Sequence, residues 1–500
     1  MRLKSLLLSA VLGSTALVAP HIALADQNNF IVDLVNEPAT LDPHQQWNPD
    51  SYYVYRNIFD NLVTRSNEGE IVPQVATAWE FVTPTEIAFT IRDDITFHDG
   101  SKLTAEDVAF SIQRITNKEF NSPQLSQYEA ITGTEVMADG RVKITTNAPY
   151  PALLAQLVKL SIVPKAVVEA KGTEAFNLEP VGSGPYKFAG WDRGVEVRLD
   201  RNDAYWGEKG AFPKATFRAV PDISTRVANL KTGAADLIVS VDPDTAAVLE
   251  PEATVSPLIA LTERVAYMRI NSQKPGLDDV RLRRAIAHAI DKQLIIDGLL
   301  GGYDKPVGQM LSPAHAGWAE GEEGIPFDLE KAKALVAEVG DAAKRPLSFA
   351  TSPAVDPRIV QAIQQMLGDV GLTVEIEASD MAAFIKKVRG EPTQGPDFNF
   401  GRWSCACGDA DGVLYPLLHS SSSWSVLRNA DLDKKLEDAR VELDPAKRDA
   451  LYAEVHAFVT EEAPLVPLYQ AAIIYAANDK LKWQPTPDES LFLNRMAWTE

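Results

Sequence analysis

Short apolar runs alternate with amphipathic stretches along the first half of the chain. Residues 30–35 form one run rich in β-branched side chains, which predicts a buried strand. Residues 52–63 carry apolar side chains at three- and four-residue spacing, as a core-facing helix does. Another helix is predicted to begin after Thr104, because Asp107 three residues later completes a capping pattern. Further elements are expected as strands at 85–97, 142–146, 195–201 and 215–220 and as a helix at 224–232.

The second half alternates helices and strands more regularly. One long helix is predicted over 280–300 from its apolar stripe. Helices at 330–339 and 358–370 each end at a glycine, and each precedes a candidate strand, at 346–351 and 372–377. This order favours βαβ units with parallel strands, and therefore an α/β fold. The remaining expected elements are strands at 264–271 and 465–475 and helices at 431–440 and 446–461.

Residues 1–25 have the three parts of a secretory signal peptide. Arg2 and Lys4 precede an apolar run, and Ala23-Leu24-Ala25 offers a cleavage site. The run is interrupted by serine, glycine and proline, so a membrane anchor of about 20 apolar residues is disfavoured. No cysteine lies near the cleavage site for lipid attachment. We therefore expect a protein that is free in the periplasm and is not a lipoprotein.

Composition narrows the class of protein and of partner. With 500 residues, 45% of them hydrophobic, the chain is long enough for two to four globular domains. Its formal net charge of -21 disfavours nucleic acid and anionic membranes as partners. We expect a monomer.

Motifs for catalysis and metal binding are missing from the sequence. It contains no G-x-S-x-G, no H-E-x-x-H and no phosphate-binding loop motif. The six histidines outside the signal segment never occur three to five residues apart, so they give no local support for a metal site. No catalytic residue, metal or cofactor is therefore predicted, and the sequence gives a periplasmic hydrolase less support than a binding protein.

The two cysteines, Cys405 and Cys407, flank Ala406. In an oxidising compartment they can be two buried thiols, a strained bridge or a pair of soft metal ligands. Buried, inert thiols are favoured because a free cysteine packs as a small hydrophobe.

Segments spread over the mature chain resemble family 5 of the extracellular solute-binding proteins of ABC transporters. This group contains the periplasmic dipeptide- and oligopeptide-binding proteins. The strongest match runs through Phe97-His98-Asp99-Gly100-Ser101 to Ser111. The other matching segments are 37–43, 78–80, 89–92, 182–186, 202–206, 279–291, 327–332 and 463–469.

This resemblance implies a two-lobed periplasmic-binding-protein fold, type II-like, with an inserted subdomain in the first lobe and the ligand in the cleft between the lobes. By analogy, the first lobe comprises 26–66, 183–264 and 482–500, the inserted subdomain 67–182, and the second lobe 265–481. The implied function is to bind short peptides or peptide-like solutes by lobe closure and deliver them to a membrane permease.

The resemblance also indicates where the ligand binds. In peptide-binding relatives a tryptophan is followed three residues later by an aspartate that pairs with the ligand's α-ammonium. Trp403 matches, but the third position after it is Ala406. Either Asp409 or Asp411 supplies the carboxylate, or the ligand lacks a free amine there and is an opine, a sugar conjugate or a nickel chelate. Both aspartates are alternatively explained as turn formers with Gly412. The candidate ligand-binding residues are Trp403, Ser404, Cys405, Asp409, Asp411, Trp47 and Tyr128. Arg402 precedes Trp403 on the same predicted strand, so its side chain should point to the opposite face.

Overall fold

The computed structural model describes residues 28–45, 48–66, 69–405 and 407–499. The signal segment, Trp47 and Ala406 therefore lie outside the described residues. Helices and strands are mixed throughout the described residues, which confirms the α/β class. The strands are β1 (Asn29–Leu34), β2 (Val63–Arg65), β3 (Ile71–Pro73), β4 (Ala76–Thr83), β5 (Glu86–Ile91), β6 (Ile131–Val136), β7 (Val142–Thr146), β8 (Tyr186–Asp192), β9 (Glu196–Arg201), β10 (Lys214–Ala219), β11 (Leu237–Ile238), β12 (Val255–Ile270), β13 (Lys305–Pro306), β14 (Leu347–Thr351), β15 (Val374–Ala378), β16 (Phe398–Trp403), β17 (Leu465–Asn478), β18 (Leu481–Lys482) and β19 (Ala497–Trp498).

The helices share a strong tendency to begin at a side-chain cap, most often an aspartate. They are α1 (Pro49–Ile58), α2 (Ala105–Thr116), α3 (Leu153–Leu157), α4 (Lys165–Lys171), α5 (Thr173–Leu178), α6 (Ile223–Thr232), α7 (Pro243–Leu249), α8 (Val280–Ala289), α9 (Lys292–Leu299), α10 (Leu329–Val339), α11 (Pro357–Asp369), α12 (Met381–Val388), α13 (Asp411–Leu418), α14 (Ala430–Val441) and α15 (Pro445–Glu462).

The two longest strands, β12 and β17, run antiparallel to each other and connect two halves of one large sheet. Within the described residues this sheet has 11 strands. Ten of them follow the order β15-β14-β16-β12-β17-β11-β1-β10-β9-β8, and β13 pairs with β17 beside that path. The pairing between β12 and β17 shifts register between Leu261 and Val265, so three residues of β12 lie opposite Ala471. Such a bulge bends a strand and redirects its side chains.

The first lobe is built around the half of the sheet that contains β1 and β8 to β11. β1 lies parallel to β10, and its apolar side chains pack with helix α1. A separate four-stranded sheet, β4-β5-β7-β6, packs against helix α2 and has its own core. The described residues thus contain a distinct sheet in the region expected for the inserted subdomain.

The second lobe carries helices on both faces of its half of the sheet. β14 is parallel to both β15 and β16, as the predicted βαβ units require. Helices α8 to α11 cover one face, and α13 to α15 cover the other. The division into lobes at 66, 182, 264 and 481 remains a prediction, since the cores give no single residue at which one unit ends.

The capping residues in the sequence correctly predict where helix α2 begins, but the cap at the start of helix α9 was not recognised. At the start of α2, the Thr104 amide donates to Asp107 Oδ2 at 2.9 Å, as predicted. The single helix predicted over 280–300 is wrong, because Ile290 is extended and Asp291 caps a new helix by accepting from the Leu294 amide.

Candidate functional site

A cavity with a volume of about 800 Å³ lies between the lobes. Helix α1, the separate sheet's loops, the β12 bulge, the second lobe and the C-terminal segment all contribute to its wall. This volume falls in the range usual for sites that bind small molecules. Among the described residues, its lining contains four basic side chains, Lys159, Arg264, Arg389 and Arg440, and four acidic side chains, Glu263, Asp411, Asp488 and Glu489.

The bulge in β12 brings two opposite charges into the cavity wall. Arg264 Nε lies 2.6 Å from Glu489 Oε1, so its charge is paired. Glu263 is buried, and its Oε2 has no hydrogen-bond partner among the described residues. Burial, together with nearby Asp488, raises the pKa of Glu263 to about 8. The sequence signal for this pair is the adjacent Glu263 and Arg264 within a largely apolar strand, and the sequence-based prediction did not include them.

Lys159 faces the same part of the cavity. Its Nζ donates to Gln127 Oε1 at 2.8 Å. Burial lowers the pKa of Lys159 to about 8, against the opposing influence of Glu263. The cavity wall therefore contains a buried carboxyl group and a buried amine, each of which favours the charged form of the other.

Two tryptophans form an aromatic wall. Trp403, the last residue of β16, lines the cavity as expected and donates from Nε1 to the Gly412 carbonyl at 3.0 Å. Trp424, which the sequence did not point to, meets it edge to face at 5.3 Å between ring centroids. Arg402 is exposed, donates to the Ala354 carbonyl and does not line the cavity, which confirms its predicted direction.

The loop after Trp403 contains a disulfide. Cys405 and Cys407 are bonded to each other, so the interpretation as two inert thiols is wrong. That preference rested on the packing of a free cysteine as a small hydrophobe, but the two Cα atoms lie 4.9 Å apart, within the normal range for disulfides. Ser404 and Cys405 both line the cavity, whereas Cys407 is fully buried.

Asp409 and Asp411 have different surroundings. Both oxygens of Asp409 accept hydrogen bonds from the Arg448 guanidinium, each at 2.7 Å, and this buried pair does not line the cavity. Asp411 does line it, at the first residue of α13. Its Oδ1 lies 3.0 Å from Arg440 Nε, and Tyr150 offers its hydroxyl to Oδ2 at a long 3.4 Å. Burial raises the pKa of Asp411.

Tyr128 is fully buried in the core of the separate four-stranded sheet. Its hydroxyl donates to the Gln156 carbonyl at 3.3 Å, and the residue is not part of the cavity wall. The structure thus brings Trp403, Ser404, Cys405 and Asp411 together at the cavity and leaves Asp409 and Tyr128 outside it.

Arg389 is another basic residue of the cavity wall. Its Nε donates to Ser423 Oγ at 3.1 Å, and its guanidinium lies 5.1 Å from the Trp424 ring centroid. No carboxylate pairs with it among the described residues, unlike Arg264 and Arg440. It follows helix α12 in a polar stretch, where the sequence gives no sign of a role.

The described residues contain neither a cluster of metal ligands nor a membrane-spanning helix. No group of three or more histidine, cysteine, aspartate or glutamate side chains is arranged to hold a metal ion. In the same part of the chain, no helix combines the length and the apolar character needed to cross a membrane.

Comparisons with known proteins agree with this architecture. The glutathione-binding protein GsiB of Shigella boydii serotype 4 is 26% identical over 495 residues, 95% of this chain and 93% of GsiB. The substrate-binding protein CtaP of Listeria monocytogenes superposes with a TM-score of 0.86 at 23% identity, covering 94% of this chain and 99% of CtaP. DppA of Helicobacter pylori, in complex with the peptide STSA, gives 0.77 at 24% identity, with 94% and 98% covered.

These likenesses confirm the two-lobed periplasmic-binding-protein fold. A family model described as bacterial extracellular solute-binding proteins, family 5 Middle, matches residues 70–425. That match covers more than half of the chain and agrees with the resemblance of its sequence motifs. The chain belongs to the bacterial extracellular solute-binding proteins, family 5.

Proposed function

We propose that this protein is the receptor of an ABC importer for a small peptide-like solute that carries both an ammonium and a carboxylate group. The solute binds without covalent change in the cavity between the lobes and is handed to a membrane permease. The protein acts free in the periplasm, after removal of residues 1–25. The observation that carries this proposal is the cavity itself, with Asp411 and Arg389 on a wall that also holds Trp403 and Trp424.

Asp411 is the proposed partner of the ammonium group. It is almost fully buried at the cavity wall, yet its contacts to Arg440 and Tyr150 leave it incompletely satisfied. A ligand ammonium would complete its hydrogen bonding and stabilise its charged form, because an added cation opposes the effect of burial on its pKa. Asp411 thus takes the role that relatives give to the aspartate replaced by Ala406.

Arg389 is the proposed partner of the carboxylate group. A guanidinium presents a planar fork of donors that suits a carboxylate, and this one has no carboxylate partner among the described residues. GsiB is named for binding glutathione, and DppA was solved with a peptide, so relatives with this fold take solutes that carry both charges. The aromatic wall supplies contact area between the two ends.

Native mass spectrometry of protein isolated gently from its own periplasm tests the class of solute. Masses of peptides or peptide-like compounds support the proposal, whereas a single solute with no amine, such as a sugar conjugate, contradicts it.

Calorimetry on the recovered solute tests the two anchors. Acetylating its amine should weaken binding about 10- to 150-fold, the equivalent of one charge-assisted hydrogen bond of about 1.5–3 kcal/mol. Arg389→Gln should cause a loss of the same size. Arg402→Gln, which changes an exposed arginine on β16 outside the cavity wall, is the matched control. Equal affinities for Arg389→Gln and Arg402→Gln would remove Arg389 from the site.

A further inference from the structure

A disulfide forms part of the wall of the proposed ligand cavity. Cys405 is half-buried and faces the cavity, whereas its partner Cys407 is fully buried behind it. A solute in the cavity can therefore reach one sulfur of the bond and not the other. A bridge between residues two apart closes a very short loop, which restricts the unfolded chain less than a longer loop does. Stabilising the fold is thus a weak reason for its presence.

Both sulfurs lie against the first turn of helix α13. A Cβ atom added at Gly412, the second residue of that helix, would overlap Cys405 Sγ and would lie 2.7 Å from Cys407 Sγ. The N-terminal amides of a helix stabilise a thiolate and lower the pKa of a cysteine there. The nearest carboxylates do not oppose this strongly, because Asp409 is paired with Arg448 and Asp411 with Arg440. The position therefore favours release of a thiolate from the bond.

Gln156 adds a second polar group beside the exposed sulfur. Its side chain is buried at the cavity wall, and its Nε2 lies 3.9 Å from Cys405 Sγ. Its Oε1 has no hydrogen-bond partner among the described residues. A buried acceptor without a donor is costly, so this atom is suited to a donor group that a solute brings next to Cys405.

We propose that the solute carries a thiol and that Cys405–Cys407 captures it by thiol–disulfide exchange. This inference rests on the proposed function, because the solute must first occupy the cavity. The solute thiolate attacks Cys405 Sγ, forming a new S–S bond as the Cys405–Cys407 bond breaks, and the electron pair leaves on Cys407 as a thiolate. Attack by Cys407 on the mixed disulfide reverses the step and frees the solute unchanged. No other oxidant or reductant is needed.

Glutathione is a suitable probe because it combines a thiol with an amine and carboxylates. The full-length mature protein, with its disulfide intact, is mixed with reduced glutathione, quenched in acid and weighed by mass spectrometry without reductant. We expect an adduct equal to the whole mass of glutathione, located on Cys405 by peptide mapping. Its rate should saturate with glutathione concentration and exceed that of 2-mercaptoethanol at least tenfold. A rate that stays linear, or equals that of 2-mercaptoethanol, refutes capture in the cavity.

If Cys407 attacks the mixed disulfide rapidly, the adduct does not accumulate. A matched pair of variants therefore tests the same exchange step. With oxidised glutathione, Cys407→Ser leaves a cavity thiol that should form a stable mixed disulfide, while Cys405→Ser leaves a buried thiol that should react at least tenfold more slowly. Equal rates for the two variants overturn the proposal.

S-methylglutathione, which has no thiol, separates the two proposals. If it binds but neither glutathione nor the Cys407→Ser variant gives an adduct, capture is refuted and the proposed function stands. If the protein binds no peptide-like solute at all, the proposed function itself fails.

Discussion

Asp409 and Asp411 are two residues apart, and exchanging each for asparagine should have opposite consequences. Asp409 is held in a buried, two-hydrogen-bond pair with Arg448, outside the cavity. Asp409→Asn leaves the buried guanidinium without a counter-charge, which typically costs about 3–5 kcal/mol. Asp411→Asn removes an ion pair to Arg440, whose side chain is 38% exposed, so we expect a change in stability of about 1 kcal/mol or less.

The two variants should affect solute affinity in the reverse order to their effects on stability. Asp411 lines the cavity as the proposed ammonium partner, so Asp411→Asn should weaken affinity by about 1.5–3 kcal/mol, or about 10- to 150-fold. Asp409→Asn should change affinity less than this, because its side chain does not reach the cavity. Unfolding in urea measures the first effect, and calorimetry with the recovered solute measures the second.

A double variant checks the reasoning about Asp409. Replacing Arg448 by methionine in the Asp409→Asn background removes the uncompensated charge, so part of the lost stability should return. The reasoning is refuted if Asp409→Asn remains as stable as the wild type while its affinity falls as far as that of Asp411→Asn. In that case Asp409, not Asp411, would hold the solute.

Three further predictions concern single residues. Gly412→Ala should lower the free energy of unfolding by about 1–3 kcal/mol, because the added methyl group overlaps the two sulfurs. Gly368→Ala in α11 is the control, since open space surrounds this glycine and the change should be neutral or stabilising. Equal unfolding free energies for the two variants would contradict the overlap. Burial lowers the pKa of His98 from 6.5 to about 4. Between these two pH values the folded state therefore binds fewer protons than the unfolded state, so the protein loses stability as the pH falls from 6.5 to about 4. His98→Gln should reduce the slope of unfolding free energy against pH by up to about 1.4 kcal/mol per pH unit there, and an unchanged slope contradicts the assignment. Trp403→Ala should weaken solute binding about tenfold through loss of the aromatic wall, measured by calorimetry, and unchanged affinity would exclude it from the site.

Local signals in the sequence accounted for much of the fold. The strand at β1 and the capped start of α2 follow from patterns of neighbouring residues, and the parallel pair β14 and β15 follows from the strand-helix-strand order over 347–378. The prediction over 280–300 failed because the apolar stripe continues past Ile290, although Asp291 carries the cap that starts a second helix. Periodicity alone cannot detect a break that preserves the buried face.

The candidate site was predictable only in part, for a physical reason. Trp403 and its loop were located by resemblance, but the choice between Asp409 and Asp411 depends on which arginine reaches each carboxylate. Those arginines, Arg448 and Arg440, lie on α15 and α14, about 30 to 40 residues later in the chain, and only tertiary packing brings them there. Glu263 likewise enters the cavity through a register shift between β12 and β17 that neither strand encodes alone.

The exchange of the usual aspartate for Ala406 is best understood together with the disulfide and helix α13. The Cys405–Cys407 bridge tightens the loop directly after Trp403, and the chain enters the helix at Asp411, so a carboxylate still arrives at the same cavity wall. There it begins a helix, where the first-turn amides favour negative charge, and the charge of Arg440 opposes the effect of burial on its pKa. The same amides favour a thiolate on the neighbouring cysteines. The segment 405–411 therefore supplies both the proposed ammonium partner, Asp411, and the proposed thiol acceptor, Cys405. A solute that binds to both must carry its amine and its thiol close together.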